Sequence, residues 1–185
     1  MTLERRVVLK GAAISALVFS VEGARLTLTP RQAHAADIPM QVLKPEERAA
    51  LEAFGDVLLP GAKEAGLANF VDHQLAGDPD DCLLVARNLS VAPPYKNFYS
   101  AGLAARDGAS TKAYQKPFAG LDAGQKVAFV KALSQKSPDG WQGPPSPFFY
   151  FVVRNDATDV VYGTVEGFKK LGVPYMPHIL PEKRW

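Results

Sequence analysis

Beyond Ala36 the apolar residues recur at intervals of three and four rather than two, which is the period of helices buried along one side. Pro45-Glu46-Glu47 opens the first run: proline suits the first helical position, and the carboxylates suit the positive end of the helix dipole. Ala50, Leu51, Phe54 and Leu58 follow at helical spacing, and Leu59-Pro60-Gly61 stops the run. A second, short helix is predicted from Asn69 to Ala76, with Phe70, Val71 and Leu75 inward and Gly77-Asp78-Pro79 ending it. A third is predicted from Asp80 to about Leu89, offering Leu83, Leu84 and Ala86 for burial. After Pro93-Pro94, the residues Tyr95, Phe98, Tyr99, Gly102 and Leu103 fall at i, i+3, i+4, i+7 and i+8. Asp122 with Gln125 has the form of a capping box, opening a helix through Val127, Phe129, Val130 and Leu133.

Ser134 to Pro147 is rich in proline and glycine and reads as a loop. Phe148-Phe149-Tyr150-Phe151-Val152-Val153 has the propensity of a strand, but Ser146 as a cap, Pro147 at the first position and continuation to Val161 favour a buried helix of about fifteen residues. No second strand-like run exists to pair with it. Tyr162 to Trp185 carries Gly163, Gly167, Gly172, Pro174, Pro177 and Pro181 and reads as an irregular tail. The prediction is an all-α domain of about five or six helices with long Pro/Gly-rich loops.

The N-terminus has a different pattern. Arg5 and Arg6 precede an apolar stretch from Gly11 to Val21, bounded by Lys10 and Glu22, which at about eleven residues is too short to span a bilayer. Ala33-His34-Ala35 then supplies a small-x-small cleavage site, so residues 1–35 read as a removable export signal and 36–185 as one domain. Arg5, Arg6, Leu9 and Lys10 fit the twin-arginine (Tat) pattern; Glu4 and Val8 depart from it. That route carries proteins already folded, which points toward a complex and places the chain in the periplasm.

The whole chain has 185 residues, 47% hydrophobic and 22% charged, which excludes a disordered or fibrous protein. Five of its 21 Lys+Arg and two of its 19 Asp+Glu lie in the first 35 residues, leaving 16 against 17 and a mature net charge of −1. A nucleic-acid partner is thereby disfavoured.

The sequence carries few residues arranged for chemistry. There is no glycine-rich phosphate loop after a strand, and the single cysteine excludes haem attachment and iron–sulfur or zinc ribbons. Downstream of the signal the two histidines, His73 and His178, are far apart. Asp78-Pro79-Asp80-Asp81 lacks the ligand spacing of a calcium loop and reads as a capped turn. Asp72/His73 and Arg154/Asp156 are the pairs on which a stand-alone enzyme would have to rest. Cys82, in an oxidising compartment, is either buried and inert, as its neighbours Leu83 and Leu84 favour, or paired with another chain.

Asp159-Val160-Val161-Tyr162-Gly163-Thr164-Val165-Glu166-Gly167-Phe168, followed by Leu171-Gly172-Val173-Pro174-Tyr175-Met176-Pro177-His178-Ile179 and a final Trp185, resembles the gluconate 2-dehydrogenase subunit 3 family. Leu43-Lys44-Pro45-Glu46-Glu47-Arg48, Leu58-Leu59-Pro60-Gly61, Phe70-Val71-Asp72-His73-Gln74-Leu75-Ala76-Gly77 and Lys116-Pro117-Phe118 extend the resemblance over nearly all of the domain. Lys44 departs from it, standing where the family commonly has a Ser or Thr helix cap.

The resemblance implies a non-catalytic small subunit that binds no cofactor itself. Its large partner resembles glucose–methanol–choline oxidoreductases and holds FAD. A multihaem cytochrome c subunit, carrying haem c, passes electrons to quinone and associates the complex with the membrane. The small subunit is implied to help the large one fold, acquire FAD and leave the cell interior. On this reading the partner interface is expected at Trp141, Tyr162, Phe168, Tyr175, His178, Ile179 and Trp185, since aromatic side chains anchor interfaces. The alternative is a stand-alone periplasmic enzyme, or a scaffold for an unrelated client.

Overall fold

The computed structural model describes residues 17–21 and 24–174. Its helices are α1 (Pro30–Ala35), α2 (Pro45–Leu58), α3 (Leu67–Ala76), α4 (Val85–Asn88), α5 (Lys96–Tyr114), α6 (Ala123–Leu133), α7 (Ser146–Tyr162) and α8 (Val165–Lys170). The one sheet among the described residues is an antiparallel hairpin of β1 (Leu17–Val21) and β2 (Ala24–Leu28), with Leu17 opposite Leu28 and Phe19 opposite Leu26. The domain is mostly helical, as predicted. The extra helices beyond five or six are short ones, α1, α4 and α8.

Helix α7 is the centre of the packing, touching α2, α3, α4, α5, α6 and α8. Its buried positions Phe149, Val152, Val153, Asp156, Ala157, Val160 and Val161 step by three and one, tracing one face of a helix. Helical period therefore overrides the strand propensity of Phe148–Val153. The cap differs from the prediction: Ser146 lies inside the helix, where its hydroxyl donates to the Leu133 carbonyl (2.9 Å) and ties the start of α7 to the end of α6.

The predicted inward face of α5 is realised, with Tyr95, Phe98, Tyr99, Gly102 and Leu103 all buried. Gly102 is required by contact: a Cβ there would overlap the ring of Phe149, so α5 and α7 approach only through the missing side chain. Phe149 stacks on Phe54 of α2 at 5.6 Å between centroids, and Phe54 meets Phe118 edge-on at 5.9 Å. Asp122 and Gln125 form the predicted capping box at α6, with bonds of 2.8 and 3.2 Å.

Three local expectations are corrected. The stretch from Asp80 to Leu89 is not one helix but a 3-10 turn (Pro79–Asp81) and the single turn α4, because Asp78 caps the first by accepting from the Asp80 N–H at 2.9 Å. Leu83 is 56% exposed as a result, while Leu84 and Ala86 are buried. Val127 of α6 is 61% exposed, lying off the face that Phe129, Val130 and Leu133 bury. The stretch after Tyr162 holds α8, for which Thr164 is the cap: its hydroxyl accepts from the Gly167 N–H at 3.0 Å.

Candidate functional site

Three carboxylates are buried, Glu52, Asp72 and Asp156, and the last two, with the buried guanidinium of Arg106, organise the polar interior. Asp72, on α3, is 3% exposed and accepts three backbone N–H bonds, from Gln41 (2.7 Å), Val42 (2.9 Å) and Leu43 (2.7 Å). It thus pins the bent segment before α2 onto α3. His73, the next residue, turns elsewhere: its Nε2 lies 3.2 Å from the Val18 carbonyl and its ring meets Phe19 edge-on at 5.1 Å. Successive helical residues diverge by about 100°, so Asp72 and His73 do not address a common ligand.

Asp156 is completely buried on α7, where its Oδ2 accepts from the Tyr99 hydroxyl at 2.6 Å. Burial pushes its pKa up to about 7, against the Tyr99 bond, which favours the ionised form. Its Oδ1 has no hydrogen bond of regular geometry, though the Val85 N–H at the head of α4 lies near enough to favour ionisation too. Burial, and then the adjacent carboxylate, holds the Tyr99 phenol well above its ordinary range. Arg154 is exposed while Asp156 faces the core, so that second sequence pair is not assembled either.

Arg106 on α5 was not signalled by the sequence, where it sits among Ala, Asp and Gly and reads as a surface residue. It is 1% exposed. One guanidinium nitrogen donates to the Ala50 carbonyl of α2 (2.5 Å), another to both oxygens of Asp107 (2.9 and 3.0 Å), and the group lies 4.7 Å over the Phe118 ring. Burial lowers its pKa, and Asp107 works against that shift. Asp107 also accepts from the Phe118 N–H (3.2 Å), and Ser110 donates to the Lys116 carbonyl (2.9 Å), so the Lys116-Pro117-Phe118 motif is clasped onto α5.

The interface candidates divide into two groups. Trp141 is half-buried, donates from Nε1 to the Pro144 carbonyl (2.6 Å) and tilts against Phe149 at 6.0 Å. Tyr162 is half-buried against the main core, and Phe168 is half-buried on α8. Tyr175, His178, Ile179 and Trp185 lie outside the described residues, as do Arg5, Arg6, Leu9 and Lys10 of the export signal. Ala33 and Ala35, the expected cleavage positions, fall within α1. Cys82 is 3% exposed, burial raises its thiol pKa, and it borders a hollow of about 300 Å³ with His73, Gln74, Asp78 and Leu83. Two further hollows, of about 220 and 270 Å³, lie between α1 and α8 and between Glu52 and Lys126. All three are at or below the lower end of the range for small-molecule sites. Among the described residues no group of His, Cys, Asp and Glu is placed to hold a metal, and no helix is long and apolar enough to cross a membrane.

The described residues thus define a small helical domain in which Asp72, Asp156 and Arg106 fasten one element to another, while buried Glu52 pairs with Arg48 and Lys63 beside one shallow hollow. The family described as gluconate 2-dehydrogenase subunit 3 matches residues 45–180, and the chain belongs to that family. It is accordingly a small subunit of a dehydrogenase complex. No curated protein and no solved structure matches the chain.

Proposed function

We propose that this chain is the non-catalytic small subunit of an FAD-dependent sugar, polyol or sugar-acid dehydrogenase, acting as Tat export escort and as folding and FAD-loading partner for the large flavoprotein subunit. The observation that carries the reading is the family match over residues 45–180. Two features support it. Arg5-Arg6 with Leu9 and Lys10 supplies a twin-arginine signal to a family of subunits that work with a larger chain. The acids on which an independent enzyme would rest, Asp72 and Asp156, are engaged by backbone N–H groups and by Tyr99. FAD belongs in this reading to the large subunit and haem c to a cytochrome subunit, which reaches this chain only through the large one. The complex sits at the periplasmic face of the inner membrane.

The test co-expresses the large subunit with this chain, either wild-type or carrying Arg5→Lys/Arg6→Lys, and measures the location and FAD content of both. The paired change is expected to strand both chains in the cytoplasm, with the large subunit still loaded with FAD. Export of the large subunit regardless of the change would defeat the escort reading.

A further inference from the structure

The segment that carries the apparent cleavage site is built as a finished helix with both ends closed. At its start, the Thr29 hydroxyl accepts from the Gln32 N–H (3.1 Å) and the Gln32 side chain accepts from the Thr29 N–H (2.9 Å), a complete capping box with Pro30 at the first position. At its end, the Asp37 N–H bonds to the His34 carbonyl and the Ile38 N–H to the Ala33 carbonyl, both at 3.0 Å. Asp37 is in the left-handed region (φ 46°). That pair of bonds is the Schellman closure, and Ile38 packs with Ala33 and Phe19 in one small apolar cluster, as the motif favours.

The Ala35–Ala36 peptide lies inside this closed turn. The Ala36 N–H is itself bonded to the Gln32 carbonyl (2.9 Å), and Ala33, one of the two small side chains a signal peptidase would read, has no exposed surface. The helix is also seated on its neighbours. Gly66, at φ 83°, leads into α3, and a Cβ there would overlap the Pro30 carbonyl, so glycine is needed both for the turn and for the approach of α1. Arg31 reaches Glu166 at 3.5 Å, next to the apolar hollow that Pro30, Ala65, Val160 and Val165 line. A leader destined for removal has no use for two caps and a seat.

We infer that the folded domain begins no later than Thr29, rather than at Ala36, and that residues 29–35 stay with the protein after any processing of its leader. A chain exported in the folded state meets the peptidase with this site already locked. Cutting at Ala35 then requires α1 to open first, and cleavage follows the population of the open form. Any processing falls upstream of Thr29.

The cell-based arm of the test rests on the export reading above; the second arm does not. In the first, the chain exported with the flavoprotein is analysed by intact mass and N-terminal sequencing. An N-terminus at or before Thr29 is expected, and one anywhere from residue 30 to 36 overturns the inference. If no exported chain is found, the export reading has failed and the second arm decides. There the full chain, purified from the cytoplasm as Arg5→Lys/Arg6→Lys, is digested under native conditions with elastase, which cuts after small residues. The Ala35–Ala36 bond should resist cutting. Adding Thr29→Ala, which removes the cap, should speed cutting at that bond by roughly fivefold. Cutting at Ala35 in the capped chain as fast as in Thr29→Ala overturns the inference.

Discussion

Asp72 and Asp156 are both carboxylates sealed inside the helical domain, yet they are met by very different sets of donors. Asp72 collects three N–H donors from one short segment, and these donors stand where water would in the unfolded chain. Asp156 has one phenol and the Val85 N–H, which makes no bond of regular geometry; that is too little to replace its hydration, and its pKa rises to about 7. What separates the two buried acids is the count of donors aimed at each. The first acid is a staple between two segments, and the second is a group whose charge is marginal near neutrality.

The comparison is broken most severely at Asp72. Asp72→Ala leaves the N–H groups of Gln41, Val42 and Leu43 without their acceptor and should cost about 3 kcal/mol or more, read from urea unfolding. A loss under 1 kcal/mol would mean that water satisfies this segment equally well. Next in size is Gly102→Ala, which forces α5 away from Phe149 and so loosens the Tyr99–Asp156 contact while leaving Asp72 untouched. Overpacking of this kind should cost about 2 kcal/mol. Differential scanning calorimetry would show it, and an unchanged Tm would refute the close approach.

The smallest change at neutral pH is expected from Asp156→Asn, which keeps an acceptor for Tyr99 and mimics the protonated acid. Its signature is in the pH profile. The folded-state pKa of about 7 lies above the ordinary aspartate value of 3.8, so between those limits the native state holds a proton that the unfolded state has lost. This stabilisation is complete below about pH 4 and is lost as pH rises through 7, at order 1 kcal/mol per pH unit. The difference in unfolding free energy between wild-type and Asp156→Asn should therefore slope across that window, and a flat difference would show that Asp156 is ionised throughout.

Much of the helical frame was legible because it is local. The spacing of Tyr95, Phe98, Tyr99, Gly102 and Leu103, the Asp122–Gln125 box and the run from Phe148 to Val161 each contain their own instruction, and each formed as read. The polar interior was not legible, because its partners are distant in sequence. Asp72 meets residues some thirty positions earlier, Tyr99 meets Asp156 57 positions later, and Arg106 reaches Ala50 across 56. Nothing in the neighbourhood of Arg106 distinguishes it from a solvated helix residue until Phe118 and Asp107 are seen around it. The Asp72-His73 adjacency suggested chemistry for the opposite reason: residues next to each other in the chain point to different partners on a helix.

Arg106 also determines how the domain comes apart. A guanidinium keeps its charge at any pH a cell reaches, and a buried charge that loses its partners carries a cost of several kcal/mol. Sliding α5 from α2, unclasping the Phe118 turn or freeing Asp107 would each strand that charge in an apolar surrounding. Half-open arrangements of this junction are therefore disfavoured relative to both the closed state and one in which water floods the whole contact. In amide exchange the three pieces would behave as a single cooperative unit, released together rather than frayed one at a time.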